Sequence, residues 1–312
     1  MKQQPTISVI IPVYGVEKYI AYFADTLFSQ SYPHLQFVFV NDGTKDSSME
    51  ILQQIIEKKY SHLIPQIVVV NKENGGLPAA RRTGWEHATG DYIYNVDPDD
   101  WLAEGALEKM ANKIVETGCD LLYFGLVKVY AKRKSYKHQR TYTAAERAKF
   151  VRDIYNHHAM GSLCNKCFKR TLLEEYTIYS PQFSHAEDCF VSIQLAGYAT
   201  NIAYLDEMLY CYRKDNPAAM SRKAVRKRKR EYALNFLNLY EKYRNVALDQ
   251  NPVAVIFNDI LMQAGWYSTF YRLGLFAEFP YLAEGVRKAK ICRGTDVPIV
   301  AQLITKFVAL FK

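Results

Sequence analysis

Along the first half of the chain, short continuous apolar runs alternate with longer segments whose apolar positions recur every three or four residues. Ile7 to Val13 (ISVIIPV) is an unbroken β-branched run, the pattern of a strand buried on both faces. Glu17 to Gln30 follows, with Tyr19, Ile20, Phe23, Leu27 and Phe28 at helical spacing. Leu35 to Val40 (LQFVFV) predicts the second strand. Asp46 is placed to cap the next helix, whose apolar face is Met49, Ile51, Leu52, Ile55 and Ile56. Ile67 to Val70 predicts a third strand and Pro78 to Ala88 a third helix. Asp91 to Val96 predicts a fourth strand, Ala103 to Glu116 another helix, and Asp120 to Tyr130 another strand.

Repeated strand–helix units of this kind predict an α/β fold with a mixed, mainly parallel central sheet and helices on both faces. In such sheets ligands sit beyond the carboxyl ends of the strands. Three of the expected strands end in polar clusters there: Tyr14 to Glu17, Asn41-Asp42-Gly43-Thr44, and Asp97 to Asp100. All three are expected along one edge, facing one crevice. From about Thr143 to Tyr212 short helices and strands mix, and beyond Arg222 the pattern is helical, with Tyr232, Leu234, Phe236, Leu237 and Tyr240 at helical spacing. The expected division is a domain over 1–216, with a first half to about residue 130 and a second over 131–216, followed by a helical region over 217–312.

Composition changes this picture little. The 312 residues are 49% apolar and include 24 tyrosines, which suits a carbohydrate-facing protein and a Tyr-rich core equally. The net charge of +8 is local. Lys128 to Arg140 and Arg222 to Arg230 are basic runs without a single acid, and the remainder of the chain is net acidic. Such runs fit an anionic lipid, a diphosphate or a nucleic acid, or a solvated helix face. The N-terminal MKQQPTISVIIPVY lacks the features of a signal peptide, and no stretch is long and apolar enough to span a bilayer. A cytosolic protein with reduced cysteines is the expectation. Cys164, Cys167, His185 and Cys189 have a spacing compatible with zinc, but without a second CxxC they are expected to be ordinary interior residues.

The densest chemistry lies in NVDPDDW, Asn95 to Trp101, where Asp97, Asp99 and Asp100 crowd around Pro98. Like charges at this density are unfavourable unless a cation or a donor-rich ligand offsets them. Neither a GxGxxG fingerprint nor a GxxxxGK[ST] loop is present to cradle phosphates. A hard divalent ion held by one or two carboxylates and by phosphate oxygens is the alternative, with a carboxylate such as Asp42 free to accept from a base N–H.

SVIIPVYG, FVFVNDGTKDSS, ENGGLPAARRTGWEHATGDYIYNVDPDDW and HAEDCF, in this order, resemble the family 2 glycosyltransferases of the GT-A fold. The later CNKCFKRTLL and YCYRKDNPAAMS resemble the bacterial polysaccharide branch of that family, and the resemblance covers about Thr6 to Ser221. It implies an inverting transfer of a sugar from a nucleoside diphosphate donor, UDP by family analogy. Donor contacts are implied for Pro12, Val13, Tyr14 and Glu17 at the end of the first strand, for Asp42 at the base, and for Arg81. Asp97 and Asp99 match the family's DXD pair, with Asp97 toward ribose or metal and Asp99 a direct ligand of Mn2+ or Mg2+. Glu187 and Asp188 match the ED pair, with Asp188 as general base. Standing alone, such a pair more often caps a helix. Arg82 replaces the family's Asn, Asn41 stands where Asp is common, and Asp215 falls beside a position where relatives carry His or Arg. Arg213, Lys214 and Arg222 are the replacements nearby, and His185 is a further polar residue near the proposed base.

Pro298 to Lys312 (PIVAQLITKFVALFK) is apolar over much of a helical surface, with Lys306 and Lys312 on its polar side. Together with RKAVRKRKR it fits peripheral contact with the inner face of an anionic membrane, or packing on the catalytic domain or a second subunit. The functional expectation is a metal-dependent hexosyl- or N-acetylhexosaminyltransferase acting on a saccharide, lipid-linked, in capsular or other surface polysaccharide synthesis. The alternatives are an inactive sugar-nucleotide or glycan-binding module, and a nucleic-acid-binding protein. The acidic cluster in the expected crevice argues against a nucleic acid lying there.

Overall fold

The computed structural model describes residues 3–182, 186–216 and 225–243. The chain divides into two compact units, Met1–Arg222 and Lys223–Lys312. In the first, the elements run β1 (Ile7–Val13), α1 (Ile20–Phe28), β2 (Leu35–Asn41), α2 (Ser48–Lys59), β3 (Ile67–Asn71), α3 (Leu77–Glu86) and β4 (Tyr92–Asn95). They continue through β5 (Trp101–Leu102), α4 (Ala106–Thr117), β6 (Leu121–Tyr130), β7 (Arg133–Lys137), α5 (Arg147–Tyr155), β8 (Lys166–Lys169), α6 (Thr171–Glu175), α7 (Glu187–Tyr198) and β9 (Ile202–Arg213). In the second unit α8 (Val225–Tyr243) is described, with Ala233, Phe236, Leu237 and Leu239 buried at helical spacing. Residues 298–312, His185 and most of the basic run Arg222–Arg230 lie outside the described residues or their described side chains.

The sheet has the order β3-β2-β1-β4-β8-β6-β9-β5, with β7 paired to β6. It is parallel from β3 through β4, as the alternating pattern predicts. The parallel run then stops. β8, a four-residue strand, enters antiparallel between β4 and β6, with Cys167 opposite both Tyr94 and Leu122. β6 and β9 are parallel neighbours, and β5 pairs antiparallel with the end of β9. The second half of the sheet is thus mixed. Cys164 and Cys167 are buried thiols in this arrangement, Cys164 just before β8 and Cys167 within it.

Every residue of β1 is buried, because helices cover both faces. Ile7, Val9, Ile11 and Val13 pack with Phe23 and Leu27 of α1 and Leu107 and Met110 of α4. On the opposite face α3 approaches so closely that a Cβ at Gly84 would lie 2.2 Å from Ile10 Cγ2. The glycine is therefore a packing requirement of the α3–β1 contact. α2 begins one residue later than a cap at Asp46 predicts. Ser47 occupies the cap position without a side-chain bond, while Asp46 accepts from the hydroxyls of Thr44 and Ser48 and from the Ser48 amide.

Replacing Gly84 by alanine is expected to destabilise the first unit by about 1–3 kcal/mol, the usual cost of overpacking a full core. Urea unfolding of the full chain, followed by tryptophan fluorescence, measures it. An unchanged midpoint would contradict the close contact of α3 with β1.

Candidate active site

The carboxyl ends of β1, β2 and β4 lie side by side, since Val13 is in register with Asn41 and Ile10 with Asn95. Pro12 and Val13 are buried inside β1, whereas Tyr14 and Glu17 beyond it are exposed. The loops after β1 and β2 are stitched together. Gly15 N donates to Thr44 Oγ1 at 2.9 Å, Glu17 N to Asp46 Oδ2 at 3.0 Å, and Ser47 N to Glu17 Oε2 at 3.3 Å.

Asp42 is buried at the end of β2. Its Oδ1 accepts from Lys72 Nζ at 2.7 Å and from Gly75 N at 2.9 Å, and its Oδ2 from Gly76 N at 2.9 Å. The carboxylate therefore gathers the loop between β3 and α3 onto the strand end. Gly76 has φ +81, in the region that favours glycine, and sits at the start of α3.

Five residues into that helix stands Arg81, 2% exposed. Nη2 donates to Asp97 Oδ1 at 2.8 Å, Nη1 donates to Glu187 Oε1 at 3.1 Å, and Nη1 also donates to Asp188 Oδ1. One guanidinium, carried by α3, thus joins the end of β4 to the first turn of α7, more than a hundred residues further along the sequence than Arg81 itself. Burial alone would favour the neutral arginine, but the carboxylates of Asp188, Asp97 and Glu187 push it well above its ordinary range. Burial raises Glu187 well above the usual carboxyl range, with Asp188 adding to the rise and Arg81 opposing it. Burial likewise raises Asp97 despite Arg81, with Asp188 and Asp99 contributing. Asp188 is about a quarter exposed, and its Oδ2 accepts from Leu163 N at 3.3 Å. Ala186, just before α7, has φ +59. That left-handed conformation is costly for a residue with a Cβ, and the turn it makes leads into the Glu187–Asp188 pair.

The acidic run after β4 is folded by its own backbone and by β9. Asp100 N donates to Asp97 O at 3.0 Å, closing a turn with Pro98 at its second position. Asp100 is buried and accepts from Tyr210 Oη at 2.6 Å and from Arg213 N at 2.6 Å. Burial, with Asp99 and Asp97, pushes its carboxyl well up, against the two hydrogen bonds. Asp99 Oδ2 accepts from Asn216 Nδ2 at 2.8 Å, and its carbonyl from Arg213 Nε at 2.8 Å. The Arg213 guanidinium lies over Tyr19 and Trp101, 5.0 and 4.9 Å from their ring centres. On either side of Asp215, Arg213 and Asn216 are therefore both built into the acidic turn.

The structure accordingly brings Arg81, Asp97, Glu187 and Asp188 into one hydrogen-bonded cluster, with Asp99 on the adjoining turn. It places Asp42 about one and a half helical turns away, at the other end of the same stretch of α3. Lys72, Tyr210 and Asn216 were not foreseen. Lys72 follows a parallel strand and so falls under the same edge rule as Asp42, whereas Tyr210 and Asn216 lie within YCYRKDNPAAMS but have no role assigned there. Among the described residues, no group of three or more His, Cys, Asp or Glu side chains is arranged to hold a metal by itself. Asp97 and Asp99 nevertheless fit a hard divalent ion. Arg81 occupies Oδ1 of Asp97 and Asn216 occupies Oδ2 of Asp99, so each carboxylate keeps a second oxygen, and two carboxylates suffice where phosphate oxygens complete the shell.

Residues 8–177 match the model of glycosyl transferase family 2. The chain belongs to that family. Among similar proteins, the glycosyltransferase GlyA of Streptococcus pneumoniae is 30% identical over 221 residues, 66% of this chain and 30% of that protein. The uncharacterised glycosyltransferase EpsJ of Bacillus subtilis is 28% identical over 223 residues, 70% of this chain and 63% of that one. The chain thus spans less than two thirds of the length of either relative. Staphylococcus aureus TarS 1–349 in complex with UDP-GlcNAc superposes with a TM-score of 0.63 at 22% identity, covering 90% of this chain and 80% of that one. A mannosyltransferase from Pyrobaculum calidifontis in complex with GDP-Man and Mn2+ gives 0.53 at 17% identity, covering 100% and 82%. These two likenesses identify the GT-A fold of this family 2 member.

Replacing Arg81 by methionine is expected to cost about 3–5 kcal/mol near neutral pH, because three carboxylates lose the buried cation that pairs them. The deficit should narrow toward acid. Glu187 and Asp97 already hold protons in the folded state at pH values where the unfolded chain has released them. Loss of the guanidinium widens that difference, so acidification favours the folded variant more than the wild type. Urea unfolding of both chains at about pH 8 and about pH 6 tests it; a deficit independent of pH would contradict the pairing.

Proposed function

We propose that this family 2 chain transfers a sugar, with inversion, from a nucleoside diphosphate donor to the hydroxyl of a saccharide acceptor, using a divalent metal ion. The observation that carries this reading is the convergence of Asp97, Glu187 and Asp188 on Arg81 beside Asp99, at the carboxyl edge of the parallel strands. That edge is where a donor binds in an open α/β sheet.

In this mechanism Asp42, with the loop that it gathers, faces the base of the donor, and Pro12, Val13, Tyr14 and Glu17 flank it. Asp99 and Asp97 hold Mn2+ or Mg2+, which when bound offsets the charge that develops on the departing diphosphate. Asp188 accepts the proton of the attacking hydroxyl, on the side of the anomeric carbon opposite the leaving group. Its two oxygens are held from different directions by Arg81 and by the Leu163 amide, which keeps the carboxylate oriented. Arg81 and Glu187 set the charge of the cluster without themselves exchanging a proton with substrate.

The similar structures in complex with UDP-GlcNAc and with GDP-Man and Mn2+ support a nucleotide-sugar donor and a divalent ion, with UDP as the nucleotide proposed here. Similar proteins also include the minor teichoic acid biosynthesis protein GgaB of Bacillus subtilis. Synthesis of a bacterial surface or capsular polymer, on a lipid-linked saccharide at the inner face of the membrane, is the accompanying proposal. Among the described residues no helix is long and apolar enough to cross a membrane.

Incubation of the full chain with a panel of UDP-sugars and Mn2+ should release UDP slowly from at least one of them, even without acceptor. Asp99→Ala should lose metal-dependent donor binding. Asp188→Asn should keep that binding and lose about 10²–10⁴-fold in turnover, the range of a general base. Normal turnover in Asp188→Asn would overturn the assignment of the base.

A further inference from the structure

Behind the cluster lies a charged side chain that the mechanism above does not use. Lys166, the first residue of β8, is fully buried. Its ammonium has three N–H donors, and each has an acceptor: Met160 O at 2.7 Å, Ser162 O at 2.8 Å and Asn165 Oδ1 at 3.1 Å. Its own amide donates to Leu163 O at 3.0 Å, so residues 160–163 are wrapped around this one side chain. Burial pushes the ammonium down to about 8, against the opposing influence of Cys164, Asp188 and Cys189. A buried cation is an expensive way to begin a strand, and an apolar residue of similar length would satisfy packing alone.

The wrapped loop points to what the ammonium supplies. Leu163 donates its amide to Asp188 Oδ2 at 3.3 Å, the long end of hydrogen-bond distance, where a shift of a few tenths of an ångström removes the bond. The loop is pinned on its other sides as well. Ser192 Oγ of α7 donates to Gly161 O at 2.9 Å, Met160 N donates to Gln139 Oε1 at 2.9 Å, and Tyr94 Oη of β4 donates to Cys164 O at 3.0 Å. At Gly161 a Cβ would lie 3.0 Å from Cys189 Cβ and 3.1 Å from its Cα. The loop backbone therefore lies flat on the first turn of α7, the turn that carries Asp188.

We propose that Lys166 is a positioning residue for the transfer reaction: it holds loop 160–163 so that the Leu163 amide fixes one oxygen of Asp188 while Arg81 fixes the other. This inference rests on Asp188 being the general base. Lys166 touches neither donor nor acceptor, and acts through the orientation of a carboxylate whose remaining lone pairs take the proton.

The test uses the full chain with Lys166→Met and, as a milder cut of the same loop, Ser192→Ala. Binding of UDP with Mn2+ by calorimetry should stay within about twofold of wild type, while release of UDP from the best-hydrolysed UDP-sugar falls about 10- to 100-fold in Lys166→Met and less in Ser192→Ala. Hydrogen exchange should show faster exchange at Leu163 in both. Combined with Asp188→Asn, the Lys166→Met change should add no further loss, because both act through one carboxylate. Unchanged turnover, a parallel loss of UDP binding and turnover, or additive losses in the double variant would each overturn the proposal. Should Lys166→Met fail to fold, Ser192→Ala carries the same comparison. A wild-type chain that hydrolyses no UDP-sugar is instead a failure of the transferase reading. Exchange at Leu163 needs no turnover and separates the two, since a Leu163 amide as protected in the variants as in wild type refutes the tether itself.

Discussion

Everything at the site depends on a single buried guanidinium. Three carboxylates brought to one point out of water repel one another, and the interior offers little dielectric to weaken that repulsion. Arg81 makes the arrangement tolerable by donating to all three, and by doing so it ties the end of β4 to the start of α7. The geometry is suited to arginine and not to lysine, because a planar fork reaches several acceptors in fixed directions. Burial also raises the carboxyls of Glu187 and Asp97, so protons share with Arg81 the task of offsetting the crowded acids.

The remainder of the first unit can be understood as support for that point. α3 carries Arg81, and its placement is set at one end by Gly76 on Asp42 and at the other by Gly84 against Ile10. The acidic turn is held from β9, where Tyr210 and Arg213 converge on Asp100. α7 is held by the loop on Lys166. Each support comes from a different part of the chain, so the site exists only in the folded state, and a local perturbation of any one support reaches the carboxylates.

Much of the sheet edge is legible in the sequence because it follows from periodicity. β1, β2, β3 and β4 appear as apolar runs, and the parallel order that follows from them carries Asp42 and Asp97 to the same edge. β8 was not legible: KCFK is too short for a period, and its antiparallel entry is decided by pairing with Tyr94 and Leu122 far away in sequence. The role of Arg81 had a faint signal. It shares the buried stripe of α3 with Pro78, Ala80, Gly84 and Trp85, while Arg82 beside it is exposed. A charged residue on a buried stripe asks for a partner, but nothing local names Glu187 and Asp188 as that partner. Lys166 had no comparable signal, since the three oxygens that it binds belong to backbone carbonyls and to Asn165.

The central claim is that this carboxylate cluster is where a metal ion and the diphosphate of a sugar donor meet. A crystal of the full chain soaked with UDP and Mn2+ tests it most directly. The account predicts manganese between the carboxylates of Asp97 and Asp99 and the diphosphate, with the uracil lying toward Asp42. Manganese and UDP bound elsewhere, with Arg81 and its three carboxylates unchanged, would contradict it.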